Sequence, residues 1–542
     1  MPDFPLQVVW FKRDLRLRDH APLREAAQRG PCLCLYIYEP EVLQSAEFDA
    51  SHLTFINQSL SELDEELRSI GAHLKCLHGQ VPEVFEYLWK RHRFANLWSH
   101  EETGSARSRN RDARVAQWCE ARGVAWTEMP QTGVIRRRKQ QIDWAKRWDE
   151  RMHRSVLPVP SQIMSPNVGV GVGIMSHSDL GLSPSSRDKA VPGGETAALY
   201  CMESFFKHRG MNHRRVLSSP ANAFDSSSRI SAHLAWGTIS LRSVVQMTES
   251  HYSKLRADSV RDKRWASTLL AFLGRLRWRC HFMQKFEDHP EMEFQNMDPA
   301  CNGLRENEYS EYLFEAWCAG QTGYPLIDAS MRCLQSTGWL NFRMRALVMS
   351  FASQQLWLHW EPTARYLARH FVDFEPGIHY PQCQSHAGTM GQDRLPILSP
   401  SRQVAEHDPH GQFIRQWVNE LMPVPDEYIA EPWKMPATMQ IKTGCVIGKS
   451  YPAPIVDQVT SVRLAREKFN AAKGKPEVKI KRPSASKMTL PPVPAPLPEM
   501  AMVADSSAVE VTQVKPTAAK RPRIKKRPPV DQLELFGGPG ME

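Results

Sequence analysis

The chain has 542 residues, 42 % of them hydrophobic, enough for two or three domains with a sizeable core. No run of about 18 apolar residues occurs, so no membrane span is expected; the N-terminus MPDFPLQVVWFKRD lacks the basic-then-apolar plan of a signal peptide, which points to the cytoplasm. The net charge of +10 is unevenly placed: residues 436–542 hold 18 Lys+Arg against 9 Asp+Glu, so the excess is a property of the tail and says little about the folded body.

From the N-terminus, apolar runs and helical periodicities alternate. LQVVWF and CLCLYIY read as strands. HLTFINQSLSELDEELRSIG reads as an amphipathic helix, with Leu53, Ile56, Leu60, Leu63 and Leu67 at helical spacing and Gly71 as its stop. AHLKCLHG is a third strand, VPEVFEYLWKRH a helix, ANLWSH a fourth strand, RSRNRDARVAQWCEARG a helix and VAWTEMP a fifth strand. Such β-α alternation predicts a Rossmann-like parallel five-stranded sheet covered by helices, over residues 1–157.

Residues 158–194 read as a linker. Their GVGVG has the look of a dinucleotide fingerprint but lacks the strand before it and the helix after it. Residues 195–435 read as mostly helical. Residues 436–542 are rich in Pro, Lys and Ala and are expected to be disordered. The eleven cysteines form no C-x-x-C pair. Buried free thiols are expected rather than a metal site, with Cys32 and Cys34 on one strand face.

Two stretches carry chemistry on their own terms. Ser226, Ser227, Ser228, Arg229, Ile230 and Ser231 stand where a helix begins; hydroxyls, free N–H groups and a guanidinium suit a diphosphate, although a Ser-rich start is also an ordinary cap. GRLRWRCHF offers Arg275, Arg277, Arg279 and His281 around Trp278, a basic patch with an interleaved aromatic of the kind that binds nucleic acid.

VVWFKRDLRLRDHAPL, SSSRISAHLAWGTIS, GQTGYPLIDASMRCLQSTGWLNFRMR and HDPHGQFIRQWVNEL occur in the order found in the photolyase/cryptochrome family, and residues 5–433 resemble that family. The resemblance implies an all-α FAD-binding domain at 195–435. It implies FAD contacts from His213, Ser227, Ser228, Arg229, Ile230, Ser231, Arg279, Arg345, Asp373, Phe374, Glu375 and His379. Arg345 and Asp373 match an ion pair lying against the flavin, though an ordinary buried pair is the plain alternative. His379 matches the residue facing flavin N5; an imidazole titrates near neutral pH, so the flavin's protonation would depend on pH, unless this is simply a hydrogen-bonded buried histidine.

For DNA with a flipped pyrimidine dimer, Arg275, Trp278 and Gln403 match contacting positions. Arg275 replaces the glutamate of dimer-repairing members, and Ser385 replaces a second stacking tryptophan. In the tryptophan relay that photoreduces the flavin, Trp360 matches the middle member, while Cys383 and Asn307 occupy the other two positions; Tyr309, Tyr312 and Trp317 lie nearby in sequence. Trp360, Cys383 and His379 are therefore the candidate catalytic residues. Glu101 and Glu102 fall near a pterin-binding carboxylate of some members, or are surface acids at a strand end. A pterin or deazaflavin antenna is an open expectation. The implied function is light-driven repair of pyrimidine dimers, with a cryptochrome-like photoreceptor as the alternative, in a monomer. In the tail, QLELF resembles the pentapeptide that docks bacterial repair proteins on the sliding clamp. Leu535 and Phe536 would fill its pocket, next to Gln532 and Leu533. A bacterial source would place the protein at the nucleoid.

Overall fold

The runs QVVWF and CLCLYIY are buried along their whole length, which only a central position in a sheet covered on both faces allows. The computed structural model describes residues 5–136, 143–166, 173–185, 187, 189–213, 217–257 and 262–474. Its strands are β1 (Gln7–Phe11), β2 (Cys32–Tyr38), β3 (Leu74–His78), β4 (Asn96–His100) and β5 (Ala125–Met129). All pair in parallel, in the order β3-β2-β1-β4-β5, with Val9 opposite Cys34 and Val8 opposite Leu97. The sheet and the helices Ala50–Ser69, Val81–His92 and Ala106–Arg122 agree with the sequence reading to within two residues.

The two-residue strand period separates two cores. Val9, Phe11, Cys32, Cys34 and Tyr38 pack with Leu53, Ile56 and Leu60. Val8, Trp10, Leu33, Leu35 and Ile37 pack with Phe85, Leu88 and Val115. Cys32 and Cys34 do share a face, and burial pushes the Cys32 thiol up to about 12, so it stays a thiol.

Beyond the sheet the described chain is helical, from Glu195–Lys207 to a helix at Gln458–Ala472, with the 27-residue Asp262–Asp288 helix the longest. Residues 158–194 are in part packed connection: Ile163 is buried and its N–H donates to Ile70 O, while Arg187 donates to Asp49 Oδ1 and Gln335 O. Residues 167–172, most of the GVGVG stretch, lie outside the described residues.

The expectation of a disordered tail from residue 436 is corrected as far as Gly474. Helices form at Ala437–Thr443 and Gln458–Ala472, the second capped by Asp457, which accepts from Thr460 N. Tyr451, Cys445 and Phe469 are buried. Tyr451 Oη donates to Asp328 Oδ2 at 2.5 Å, and Tyr324 Oη to Val456 O at 2.8 Å. Cys445, Tyr451, Ala465 and Phe469 make four well-spaced buried anchors that order a segment whose average composition is that of a linker. Residues 475–542 lie outside the described residues.

Candidate functional site

The stretch Ser227–Ser231 joins the Pro220–Ser226 helix to the Ser231–Trp236 helix. Arg229 takes a left-handed backbone, φ +58°, and Ile230 follows at φ −87°, ψ −3°. A non-glycine residue there costs about 1–3 kcal/mol. Paired left- and right-handed residues turn successive N–H groups to one side and make an anion-binding nest. The backbone N–H groups of Arg229 and Ile230 meet no acceptor among the described residues, and Ser227 Oγ is buried without a partner there. The Arg229 guanidinium lies 4.5 Å from the Phe224 ring and 4.8 Å from that of Trp339, in no ion pair among the described residues. His213 Nδ1 lies 3.1 Å from Ser226 O, and burial pushes this histidine down to about 4.

A second group of side chains surrounds the loop Phe371–Glu375. Arg345 Nη2 donates to Asp373 Oδ2 at 2.7 Å and its Nε to Leu340 O at 2.9 Å. The other carboxylate oxygen, Asp373 Oδ1, is buried with no partner among the described residues. Arg279 Nη2 donates to Glu375 Oε2 and to Leu234 O, both at 3.0 Å. The loop itself is pinned by its carbonyls: Phe371 O accepts from His52 Nε2 at 2.8 Å, Val372 O from Trp236 Nε1 at 2.9 Å and Phe374 O from Arg13 Nη2 at 2.5 Å. Of these three donors, Arg13 and Trp236 lay inside quoted motifs, but nothing in sequence tied them, or His52, to the loop; only the packing of the α/β part against it does.

His379 and Cys383 lie one turn apart on the Pro376–Ala387 helix. His379 Nε2 is 2.7 Å from Ala364 O and 3.5 Å from Cys383 Sγ. The carbonyl can only accept, so Nε2 carries the proton and Nδ1 is the bare lone pair. Burial pushes His379 down to about 4. The expected titration near neutral pH is therefore corrected: this imidazole is neutral throughout the physiological range. Burial also raises the Cys383 thiol, which makes it a poor thiolate.

Trp360 is buried, its Nε1 donating to Asn296 Oδ1 at 2.7 Å, and Asn307 is exposed. A run of ring contacts leads inward from half-exposed Tyr309 through Phe314 and Trp317 to Tyr366, at centroid spacings of 5.7, 6.1 and 5.6 Å. Tyr312 is largely exposed.

The basic patch expected around Trp278 is divided. Alternate residues of a helix face opposite ways: Arg277 pairs with Asp149, Arg279 reaches Glu375, and Arg275 lies 5.3 Å from the Phe342 ring. Trp278 is half-buried beside His281 and Phe282. Gln403 is buried, with Nε2 donating to Glu406 and Oε1 unpartnered among the described residues.

A cleft opens beside the ends of β1 and β2, lined by Tyr36, Tyr38, Glu47, Arg107, Trp236 and Phe374 among others. Glu102, at its rim, is held by Arg111 at 2.8 Å, whereas Glu101 lines a smaller cavity with Gln131, Thr132, Arg279 and Glu375. Asp14, His20 and His100 converge nearby with the look of a metal site. The tautomers argue otherwise: His20 Nδ1 accepts from Leu23 N, so its Nε2 must donate to Asp14 Oδ2 and has no lone pair for an ion.

Comparison with known proteins follows the same lines. The profile of the FAD binding domain of DNA photolyase matches residues 272–471, and that of DNA photolyase matches residues 7–139. Cryptochrome DASH of Gloeobacter violaceus is 28 % identical over 489 residues, covering 86 % of this chain and 96 % of its own. A bacterial class III photolyase from Agrobacterium tumefaciens shares the fold with a TM-score of 0.77 at 24 % identity, covering 88 % of this chain and 99 % of that one. An archaeal photolyase from Sulfolobus tokodaii, solved with two FAD molecules, has a TM-score of 0.69 at 26 % identity, covering 86 % of this chain and 100 % of that one. FAD fits what the site offers: the nest, Ser227 Oγ and Arg229 suit its diphosphate, and the unpartnered Asp373 Oδ1 and the His379 lone pair suit N–H donors of its ring. Gln532, Leu533, Leu535 and Phe536 lie outside the described residues.

Proposed function

The chain belongs to the photolyase/cryptochrome family of FAD-binding proteins, and from that premise we propose that it is a photolyase-like lyase that repairs pyrimidine dimers in DNA under blue light. The observation that carries this reading is the position of Trp278. This half-buried indole packs beside His281 and Phe282 on the same helix from which Arg279 reaches Glu375 of the acidic loop, and it matches the aromatic on which a flipped base stacks. Bound and reduced, FAD supplies the light absorption and the single electron that splits the dimer and afterwards returns.

The chain's own residues bind, orient and shield. Arg229 and the nest hold the diphosphate. The Arg345–Asp373 pair leaves one carboxylate oxygen for a ring N–H, and Glu375, held by Arg279, supplies a further acceptor. His379, neutral and fixed by Ala364 O, offers Nδ1 as an acceptor and not a proton. Arg275, one turn before Trp278 on the same helix and 5.3 Å from the Phe342 ring, supplies a cation for the DNA backbone. Purified protein should convert cyclobutane-dimer oligonucleotides to intact strands under blue light and not in the dark; light without conversion defeats the reading.

A cryptochrome-like photoreceptor is the second reading. It is favoured by Arg275, Cys383 and Ser385, which replace the glutamate and two tryptophans of the repair pattern; it predicts light-driven spectral change of the flavin with no repair. We further propose that the cleft lined by Tyr36, Glu47 and Phe374 takes a second, light-harvesting chromophore; the Sulfolobus photolyase was solved with two FAD molecules, with the implication of a light-harvesting cofactor. Heat-released pigment containing FAD alone would count against this. For the QLELF segment we propose sliding-clamp docking: a peptide of residues 520–542 should bind purified bacterial clamp, and its Leu535→Ala/Phe536→Ala version should not.

A further inference from the structure

Arg209 is absent from every motif singled out in the sequence. It follows the Glu195–Lys207 helix in a short 3-10 turn, 18 residues before Ser227. Its guanidinium spends its donors on neutral oxygens: Nη1 on Ser227 O, Nη2 on Cys201 O at 2.6 Å and Ser204 Oγ at 2.9 Å, and Nε on Ser204 Oγ at 3.1 Å, with Ser228 O also reached by Nη2 through a longer, shared contact of 3.4 Å. It makes no ion pair among the described residues. A half-buried cation that ties two successive carbonyls of the cradle to a helix end is a specific arrangement, because only a planar fork of five donors can span those acceptors at once.

We infer that Arg209 is a positioning residue for the cofactor's diphosphate, acting through the peptide planes of Ser227 and Ser228. In a trans peptide the C=O of one residue and the N–H of the next point in opposite directions. Holding the Ser228 carbonyl on Arg209 therefore aims the Arg229 N–H, one of the two N–H groups of the Arg229–Ile230 nest, away from the guanidinium, and holding the Ser227 carbonyl does the same for the Ser228 N–H that precedes the nest. Without the guanidinium, these carbonyls are free to turn toward the phosphates and repel them. The charge of Arg209 also adds to the field of Arg229. Lysine keeps the charge but cannot hold both carbonyls and the helix end together.

The inference rests on the FAD-binding reading and is tested by titrating apoprotein with FAD, ADP and riboflavin, which carries the ring but no diphosphate. Arg209→Met and Arg209→Lys should each weaken FAD and ADP about tenfold or more, while riboflavin affinity and the visible band shape of the bound flavin stay as in the parent. Unchanged FAD affinity in both variants overturns the inference. So does a loss shared equally by riboflavin and FAD, since that would be general damage to the fold. If Arg209→Met does not fold, Arg209→Lys decides alone. A parent protein that binds none of the three would instead overturn the FAD reading itself.

Discussion

Asp373 gives one carboxylate oxygen to Arg345 and keeps the other buried and without a partner among the described residues. Leaving such an oxygen unmatched is costly, and under the proposed function a ring N–H of FAD is the donor that would match it. Asp373→Ala should weaken FAD by roughly 1.5–3 kcal/mol, read as a rise in Kd of the apoprotein of about 10- to 100-fold. His379 makes a different statement. With its proton fixed on Nε2 by Ala364 O, the flavin spectrum should not titrate with it between about pH 6 and 8; a His379-dependent transition in that window would contradict the tautomer assigned. Acid should act on the fold instead. His52, His213, His370, His379 and His386 are each pushed by burial from 6.5 to about 4. A base with a depressed folded pKa contributes stability above its unfolded value and loses it as pH falls. Denaturation midpoints should therefore drop between pH 6.5 and 4, steeply because several groups take up protons on unfolding. The sequence singled out Arg345 within a family motif, and Asp373 and His379 by their match to family positions outside the motifs; the structure pairs Arg345 with Asp373. The protonation of His379 was not legible, because it depends on a carbonyl from another helix.

At the scale of elements, the strands were the most legible part, since five short apolar runs separated by helical patterns leave little choice of architecture. The segment 436–474 was the least legible. Its prolines and lysines dominate any composition average, while Tyr451 and Phe469, which decide its structure, are single residues. Tyr451→Phe removes the hydroxyl that Asp328 accepts from at 2.5 Å inside the protein, and should cost about 1–3 kcal/mol in chemical denaturation. Phe469→Ala should cost about 3–5 kcal/mol. A disordered tail would show neither effect, so unchanged midpoints in both variants would restore the sequence expectation. The Arg275–His281 stretch was legible as charge but not as a single surface, for a related reason. Charge clustered along a line of sequence is distributed around a helix, and Arg277 and Arg279 end in ion pairs on different sides.

At the scale of the whole molecule, the opening motif WFKRD proves to be a seam between the α/β part and the helical part. Gly237, at φ +67°, lies so near β1's continuation that a Cβ would stand 2.2 Å from Arg13 O and 2.6 Å from Asp14 Cα. Leu15 N donates to Trp236 O, and Arg16 donates to Gly237 O. Gly237→Ala combines a left-handed alanine with a backbone clash, and should lower the melting temperature and flavin retention together. Arg13→Met should lower flavin affinity although Arg13 is outside the predicted cofactor set, because Phe374 O loses its donor. Carbonyls of the acidic loop are thus held from the other half of the chain by Arg13 and His52. Interchangeability is what this seam removes. A chimera that grafts residues 1–157 of a distant homologue onto this helical part would bring a foreign backbone against Gly237 and foreign side chains to the Phe371 and Phe374 carbonyls. The two halves can be inherited or transplanted only as a matched pair, with substitutions at Arg13 or His52 compensated in the loop they hold.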